Sequence, residues 1–391
     1  MLSIDVSERR HRLARRHHLH PGSRTSELVP AVDAMVCLHA TDPATVFLSC
    51  WARVRDVTVA DVEKALYVDR SLVKHLAMRR TLFVLGRDLL PVVQAAASAR
   101  VGEAECKRLV RDVEKAGLHE DGAGWLEQAS AAVLDALADG REPRSAELRT
   151  EIPLLEGGVT YGAGKPWGGQ VPVGPRVLTT LSASGRIVRA SNDGGWTTSR
   201  PRWATFRAWL GSDVEVVDEA AARAELVRRW LHTFGPGTLQ DLKWWLGSTL
   251  AAVRRALADV EAVEVDLHGS PGYVLPDDLE PVEPVEPWAA LLPGLDPTTM
   301  GWFDRDWYLG AHRAQLFDRN GNAGATAWWD GRIIGGWHQS GSGEVVVDLL
   351  EDLGDHARRT LEAEAGRLTD WLAGVRVAHR FPSPLSKQAG T

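Results

Sequence analysis

The chain has 391 residues, of which 25% are charged, and a formal net charge of −7 at pH 7. With 44% hydrophobic residues it can bury the cores of two or three domains, which excludes a disordered chain. No apolar run approaches the roughly 20 residues that cross a bilayer, and the N-terminus, MLSIDVSERRHRLARRHHLH, lacks the apolar stretch of a secretory signal, so a cytoplasmic protein without a membrane partner is predicted.

The charges are distributed unevenly along the chain. Arginines crowd the first predicted helix, at Arg9, Arg10, Arg12, Arg15 and Arg16, whereas residues 277–286 carry carboxylates and no cation. The acidic residues lie in a proline-spaced linker, where we expect them not to face DNA. Since binding depends on where the cations cluster, the negative net charge permits a nucleic-acid partner.

The next predicted element is an apolar helix, TSELVPAVDAMVCLHATDP, over residues 25–43. His39 and Thr41 come near its end, directly before Asp42. Two polar side chains spaced in this way beside a carboxylate can hold a water molecule, and a histidine can accept its proton near neutral pH. The same residues also fit an ordinary helix end, where His39 meets the negative end of the helix dipole. His39, Thr41 and Asp42 are the candidate catalytic residues.

Two modules with similar patterns follow. In the first, Thr58 and Asp61 cap the helix TVADVEKALY, Ser71 opens a short second helix, and TLFVLG is a strand. In the second, the predicted helices are SAELRTEI and VPVGPRVLTTLSASG. The strands IVRA and WTT then flank SNDGG, whose glycines suit the tip of a hairpin.

The third module has the clearest pattern. The helix DEAAARAELVRRWLHTF ends at Gly235, Thr238 and Asp241 begin a second helix, and STLAAVRRALADV is a third. The strands EAVEVDL and YVLP close the module across the turn HGSPG. Helices followed by a two-stranded hairpin are typical of winged-helix modules.

These patterns predict an α+β fold of tandem winged-helix domains with a C-terminal β-barrel-like domain. The predicted boundaries are 1–120 for the N-terminal helices and first winged helix, 121–215 for the second, and 216–280 for the third. From Trp288 onward, short β-type runs such as TAWWDGRIIGGW precede the helix DHARRTLEAEAGRLTDWLAG, so residues 288–391 are predicted to form the barrel-like domain with a closing helix.

Cations fall on the parts of each module that a winged helix turns toward DNA. Such residues contact phosphates and position a protein on the duplex without reading its sequence, although each one alone also fits a solvated helix face. The predicted DNA-binding residues are Lys74, Arg79, Arg80, Arg186, Arg189, Arg202, Arg254 and Arg255. Cys37, Cys50 and Cys106 are widely spaced and predict free thiols with neither a disulfide nor a metal site.

Four blocks of the chain resemble the AlkZ/YcaQ-like winged-helix DNA glycosylases. They are LHATDPATVFLSCWARV, ALYVDRSLVKHLAMRRTLFVL, LLPGLDPTTMGWFDRDWYLG and TAWWDGRIIGGW. Members of that family carry Gln, an apolar residue, and Gln or Asp where this chain has His39-Ala40-Thr41. Where they have Met-Arg-Gly-Thr-Leu-His, this chain has Met78-Arg79-Arg80-Thr81-Leu82-Phe83.

The resemblance implies excision of alkylated purines, including bulky and crosslinked N7 adducts, from double-stranded DNA without metal or cofactor. For a glycosylase of this kind we predict His39 as the water-orienting base, Thr41 as its hydrogen-bonding partner and Asp42 as a residue that orients His39. Two alternatives stay open: a non-catalytic DNA-binding regulator or lesion sensor, and a protein that sequesters a genotoxic small molecule. We expect a monomer, and the sequence leaves open whether it serves general repair or self-resistance to one toxin.

Overall fold

Helices and small antiparallel sheets build the protein, for which a computed structural model describes residues 2–162, 164–165 and 168–389. The α+β class is as predicted. The α-helices are Val6–Arg16 (α1), Leu28–Ala34 (α2), Pro43–Arg53 (α3), Val59–Glu63 (α4), Leu90–Val93 (α5), Ala99–Lys115 (α6), Gly122–Ala136 (α7), Ser145–Glu151 (α8), Val173–Ala183 (α9), Phe206–Leu210 (α10), Glu219–Phe234 (α11), Leu239–Leu246 (α12), Leu250–Asp259 (α13), Asp306–Leu309 (α14), Arg313–Leu316 (α15), Asp355–Leu372 (α16) and Pro384–Ala389 (α17).

All strand pairs within the sheets are antiparallel. The strands are Leu38–His39 (β1), Leu72–Ala77 (β2), Thr81–Gly86 (β3), Gly158–Tyr161 (β4), Gly169–Pro172 (β5), Ile187–Asn192 (β6), Pro201–Thr205 (β7), Val263–Leu267 (β8), Ser270–Val274 (β9), Ala289–Leu292 (β10), Thr326–Trp329 (β11), Arg332–Gln339 (β12) and Val345–Leu349 (β13). They form the sheets β1-β3-β2 and β10-β11-β12-β13 and the hairpins β4-β5, β6-β7 and β8-β9.

The three helices of the third predicted module and its hairpin are present, although the second strand begins at Ser270, inside the predicted turn HGSPG, and ends at Val274. Asp218 caps α11 by accepting a hydrogen bond from the backbone N–H of Ala221, and Thr238 with Asp241 forms a capping box at α12. Gly247 ends α12 with φ 59° in the left-handed region, and the hairpin β8-β9 follows α13. The caps seen in the sequence therefore place these helices correctly.

The region before this module departs from the prediction in two places. The apolar helix expected over 25–43 ends at Ala34, and the chain then turns into β1, which carries His39. Val36 has φ 62°, a left-handed conformation that does not continue a helix. Ser71 does not open a helix either, because residues 72–77 form β2, whose side chains are mostly buried on the sheet against β3.

The C-terminal region is a sheet with a covering helix. Its strand order, β10-β11-β12-β13, leaves β10 and β13 as edges, so among the described residues the sheet is open and the expected closed barrel is not formed. The predicted closing helix is α16, which packs against β10 and β13. In the second module, β7 begins at Pro201, later than the expected strand WTT.

The buried residues form a main core, a second core and a small third cluster between Ile4 and the hairpin β8-β9. The main core joins the β1-β3-β2 sheet, α11 to α13 and the C-terminal sheet, and the second lies among residues 109–203. Cys37 and Cys50 are buried and Cys106 is partly buried, all as free thiols, in agreement with the prediction. No helix within the described ranges is both long and apolar enough to cross a membrane.

Candidate functional site

A cleft of about 840 Å³ opens where four parts of the chain meet. They are the turn between β2 and β3, the helix α12, the start of β9, and the segment that runs from residue 300 to residue 322. Its walls are formed by Arg79, Thr238, Leu239, Gln240, Trp244, Ser270, Pro271, Met300, Phe303, Asp304, Arg305, Asp306, Arg313, Asn320, Gly321 and Asn322. A space of this size suits a nucleotide or another ligand of a few hundred daltons.

The turn between β2 and β3 places Arg79 in the cleft. Arg79 and Arg80 both have left-handed backbone conformations, with φ 54° and φ 61°. Residues other than glycine rarely adopt the left-handed conformation, because the Cβ atom clashes with the backbone. Backbone strain of this kind is found at functional sites, where the surrounding structure enforces it. The guanidinium carbon of Arg79 lies 3.9 Å from the centroid of the Trp244 ring on α12.

Gly247, at the end of α12, leaves room for this arginine. A Cβ atom at Gly247 would lie 2.9 Å from Cγ of Arg79 and 3.3 Å from its backbone nitrogen. Gly247 also has φ 59°, which a side chain makes unfavourable.

Replacing Gly247 with alanine is expected to lower the free energy of unfolding by about 1–2 kcal/mol, because the alanine is strained in the left-handed region and crowds Arg79. Urea unfolding followed by circular dichroism measures this change. Gly341→Ala is the matched control, since a Cβ atom at Gly341 would meet no other atom within 4 Å and this glycine has no positive φ. If the Gly247→Ala variant were as stable as the wild type, Arg79 would not pack closely against Gly247.

The loop that carries the second arginine of the cleft, Arg305, is held by the buried carboxylate of Asp241. One oxygen of Asp241 accepts hydrogen bonds from Thr238 at the start of α12, and the other accepts from the backbone N–H groups of Phe303 and Asp304, at 2.8 and 3.1 Å. This fixes the loop that carries Arg305, whose guanidinium carbon lies 4.8 Å from the Trp244 ring centroid. Arg79 and Arg305 therefore share one tryptophan.

His39 lies on β1, where it pairs with Phe83 of β3, and it does not itself line the cleft, although the charges of Arg79 and Arg305 act on it. The two rings are 4.7 Å apart between centroids, and His39 is 5% exposed. Burial, together with the guanidiniums of Arg79 and Arg305, lowers the pKa of His39 to about 3. This environment favours the neutral imidazole over the titration near neutral pH that was expected, because a charged ring here would be desolvated and repelled by two cations.

The hydrogen-bonding capacity of His39 is not fully used. Its Nδ1 atom is buried and has no hydrogen-bond partner among the described residues. A neutral imidazole donates through one nitrogen and accepts through the other, so His39 can orient a water molecule without changing its charge. The arrangement favours hydrogen bonding over proton transfer.

The two residues predicted to assist His39 have other partners. The Asp42 carboxylate caps α3 by accepting from the backbone N–H of Ala44 at 3.2 Å, and it accepts from the backbone N–H of Arg380 at 2.9 Å. Within the described part of the chain it makes no hydrogen bond to His39, so the expected orienting contact is not formed. Thr41 is partly buried, and its carbonyl accepts from the side chain of Arg380 at 3.4 Å.

Of the predicted DNA-binding residues, Arg79 is the one that lines this cleft. Its neighbour Arg80 is ion-paired with Glu105 at 2.9 Å. Lys74 donates to the hydroxyl of Tyr67 at 2.5 Å, and burial with the nearby Arg189 lowers the pKa of Lys74 to about 8.

The remaining predicted cations lie elsewhere. Arg186 and Arg189 line two other grooves, and Arg202 donates to the carbonyl of Glu142 at 2.9 Å. Arg254 and Arg255 are exposed on α13, where Arg255 pairs with Asp259 at 2.9 Å. The structure therefore does not gather the predicted set into one cationic patch around the cleft.

The arginines of α1 are engaged by the acidic linker. Arg12 and Arg16 form ion pairs with Asp278 at 2.7 and 2.5 Å, and Arg15 donates to the carbonyl of Glu283 at 3.1 Å. Asp278 of the linker therefore neutralises Arg12 and Arg16, which makes these two arginines structural, whereas Arg15 stays exposed.

Sequence reasoning missed Arg305, Trp244 and the second role of Asp241. The capping box revealed Asp241, but its contact with Phe303 and Asp304 joins residues 62 and 63 positions apart. Arg305 lies within the block LLPGLDPTTMGWFDRDWYLG, which carried the family resemblance, and that block was the one signal that pointed toward it.

Comparisons with known proteins place the chain in a family and identify a solved structure with the same fold. The family model described as DNA glycosylase AlkZ-like matches residues 32–371, which include His39 and every residue that lines the cleft. No curated protein matches. Among solved structures, the Streptomyces sahachiroi DNA glycosylase AlkZ superposes with a TM-score of 0.75 at 20% identity, over 97% of this chain and 100% of that chain. This likeness shows a shared fold.

Proposed function

Because the chain belongs to the AlkZ-like DNA glycosylase family, we propose that it hydrolyses the N-glycosidic bond of N7-alkylated purines, bulky adducts included, in double-stranded DNA. The observation that supports this best is the family match over residues 32–371. The cleft beside a buried, neutral His39 supports it further, since it offers a cationic surface for DNA next to a group that can bind water.

The proposed reaction needs little acid–base chemistry from the protein. N7 alkylation gives the purine a positive charge, so the purine leaves as a neutral base when it takes the electron pair of the bond between C1′ and N9. The oxygen of a water molecule bonds to C1′, and the proton that this water loses passes to solvent. His39 orients the water, and the hydroxyl of Thr41 is its proposed second partner.

We further propose that the protein binds DNA through winged-helix modules within the domains 1–120, 121–215 and 216–280. In the first, the order α2, β1, α3, α4, β2 and β3, with β1 paired to β3, supports a winged-helix arrangement. In the third, α11, α12, α13 and the hairpin β8-β9 follow in the corresponding order. The partly exposed Arg79 and the exposed Arg186 and Arg254 are the proposed phosphate contacts, one in each module.

The test uses three duplexes: an undamaged one, one with a single 7-methylguanine and one with a bulkier N7 adduct. Free base is quantified by mass spectrometry after incubation with the wild-type protein. We expect both modified bases to be released and none from undamaged DNA. If the bulky base alone is released, the substrate class narrows to bulky adducts, and if neither is released the glycosylase proposal fails.

The pH dependence of base release is expected to carry no inflection from His39 between about pH 5 and pH 8, because the imidazole stays neutral well above its lowered pKa. Rate profiles of the wild type and His39→Gln over this range check this. The two curves should have the same shape. An inflection near pH 6 in the wild type that is lost in His39→Gln would show that His39 takes up a proton during the reaction.

A second candidate function is a non-catalytic DNA-binding protein that recognises lesions. It is favoured by the engagement of Asp42 with Ala44 and Arg380, which leaves His39 without the carboxylate that was expected to orient it. Binding of modified duplexes without base release, with an affinity that falls steeply with salt, would establish this function instead.

A further inference from the structure

Three donor atoms of the cleft arginines are buried and have no hydrogen-bond partner among the described residues. They are Nε of Arg79 and both Nε and Nη2 of Arg305. Arg305 is 4% exposed, so its guanidinium has lost most of its contact with solvent. Buried donors without acceptors destabilise a fold, and a protein that retains several of them in one place often uses them for a ligand.

The carboxylates near the cleft do not neutralise the two arginines. Asp304 and Asp306 are exposed and form no ion pair with Arg79 or Arg305 within the described ranges, and both oxygens of Asp241 accept from other groups. A third cation, Arg313, lies in the same wall of the cleft. The pKa of Arg305 is lowered mainly by burial and further by repulsion from Arg313. The cations of this wall are therefore available to an anion.

Trp244 gives the two guanidiniums a fixed geometry. Both lie within cation–π distance of its ring, at 3.9 and 4.8 Å, although they come from turns that are more than 200 residues apart in sequence. Stacking on an aromatic ring leaves the N–H groups at the edge of each guanidinium free for hydrogen bonds. The edges of two guanidiniums match the tetrahedral oxygens of a phosphate.

We propose that Arg79 and Arg305, held by Trp244, form a binding site for one phosphate group. On the proposed function, that phosphate belongs to the DNA backbone at the lesion, and its position relative to His39 sets where the sugar lies relative to the water. Since Arg305 is fixed through Asp241, the site is assembled before DNA arrives, which reduces the ordering that binding requires.

The test measures binding of duplexes that carry one 7-methylguanine on a 2′-fluorinated sugar, because the lesion fixes the register of the protein and the fluorine slows loss of the base, so that the measurement does not depend on base release. A series of duplexes carries one uncharged methylphosphonate at successive positions. For the wild type, one position should weaken binding about tenfold, which corresponds to the loss of a charge-assisted hydrogen bond. In Arg305→Gln the same substitution should have no further effect, because the partner of that phosphate is already absent.

The salt dependence gives a second measurement. The plot of log affinity against log salt has a negative slope, and this slope should become less steep by about 1 in Arg305→Gln. Arg359→Gln, which removes an exposed arginine of α16 outside the cleft, is the control and should change the slope less than Arg305→Gln does. Thermal melting of each variant identifies loss of folding, and the methylphosphonate series on the wild type needs no variant at all.

A third measurement distinguishes backbone phosphate from free phosphate. Inorganic phosphate is titrated into the wild type and Arg305→Gln, with chloride at matched ionic strength. A methylphosphonate effect at one position, removed in Arg305→Gln, assigns the site to DNA. Saturable binding of inorganic phosphate by the wild type with no such position assigns it to a free phosphate. The proposal is overturned if neither is seen, whether or not the protein releases bases.

Discussion

Base release from a duplex with one 7-methylguanine is expected to slow by about 10²- to 10³-fold when His39 is replaced with alanine, the range found when a positioned catalytic group is removed. His39 is the one predicted catalytic residue that has a buried nitrogen without a partner among the described residues, and the charges of the cleft arginines act on it. Alanine removes this nitrogen and leaves a gap next to Phe83, so the water loses its orientation. Single-turnover kinetics with excess protein isolate the step in which the base leaves.

His39→Gln is the matched variant for this experiment. Glutamine is neutral and both donates and accepts hydrogen bonds, so it can replace the hydrogen bonds of the imidazole without taking up a proton. If His39 works by hydrogen bonding, His39→Gln should keep a rate within about tenfold of the wild type, the equivalent of roughly one modest hydrogen bond. If glutamine is as inactive as alanine while both variants melt like the wild type, His39 takes part in proton transfer, and the hydrogen-bonding role is wrong.

The second large effect is on stability, and it comes from an ion pair between Arg53 and Asp296. Their side chains are 1% and 0% exposed, and the two guanidinium nitrogens donate to the two carboxylate oxygens at 2.9 and 2.7 Å. Asp296 also accepts from the hydroxyl of Ser49 and the backbone N–H of Thr298. The pair joins α3 to the segment that leads from β10 into the cleft wall.

Replacing Asp296 with alanine is expected to lower the free energy of unfolding by about 3–5 kcal/mol, because Arg53 then stays buried with its charge uncompensated. Urea unfolding at pH 7 gives the difference. Asp213→Ala is the control, since the ion pair of Asp213 with Arg207 is exposed and surface pairs contribute little. A loss for Asp296→Ala no larger than that for Asp213→Ala would show that water reaches Arg53.

The sequence predicted the third module well because its signals are local. Thr238 and Asp241 form the capping box and Gly247 ends the helix, each within a few residues of the element it defines. The helix α16 was predicted for the same reason, from its own pattern of apolar residues.

The region around His39 could not be predicted in this way. An apolar run such as VCLH fits a buried strand as well as a helix, and periodicity alone does not separate them. The turn that ends α2 depends on Val36 in a left-handed conformation, which β-branched residues rarely adopt and only the surrounding packing can enforce. The prediction therefore named the residue but placed it on the wrong element.

The cleft itself depends on contacts between distant parts of the chain. Arg79, Trp244 and Arg305 come from three separate segments, and nothing in their local sequences indicates that they meet. For the same reason the neutralisation of α1 by the acidic linker was not foreseen, since Arg12 and Asp278 are paired only in the fold. Charge counted along the chain could not show which cations remain available to DNA.

The most direct test of the proposed function measures binding and base loss in the same sample. Wild-type protein is mixed in excess with a duplex carrying one 7-methylguanine, the bound fraction is determined, and abasic sites are counted by strand cleavage in alkali. We predict that the bound duplex acquires an abasic site at the modified position and that free 7-methylguanine appears in equal amount. A duplex that is fully bound and remains intact would contradict the glycosylase function and leave a DNA-binding protein.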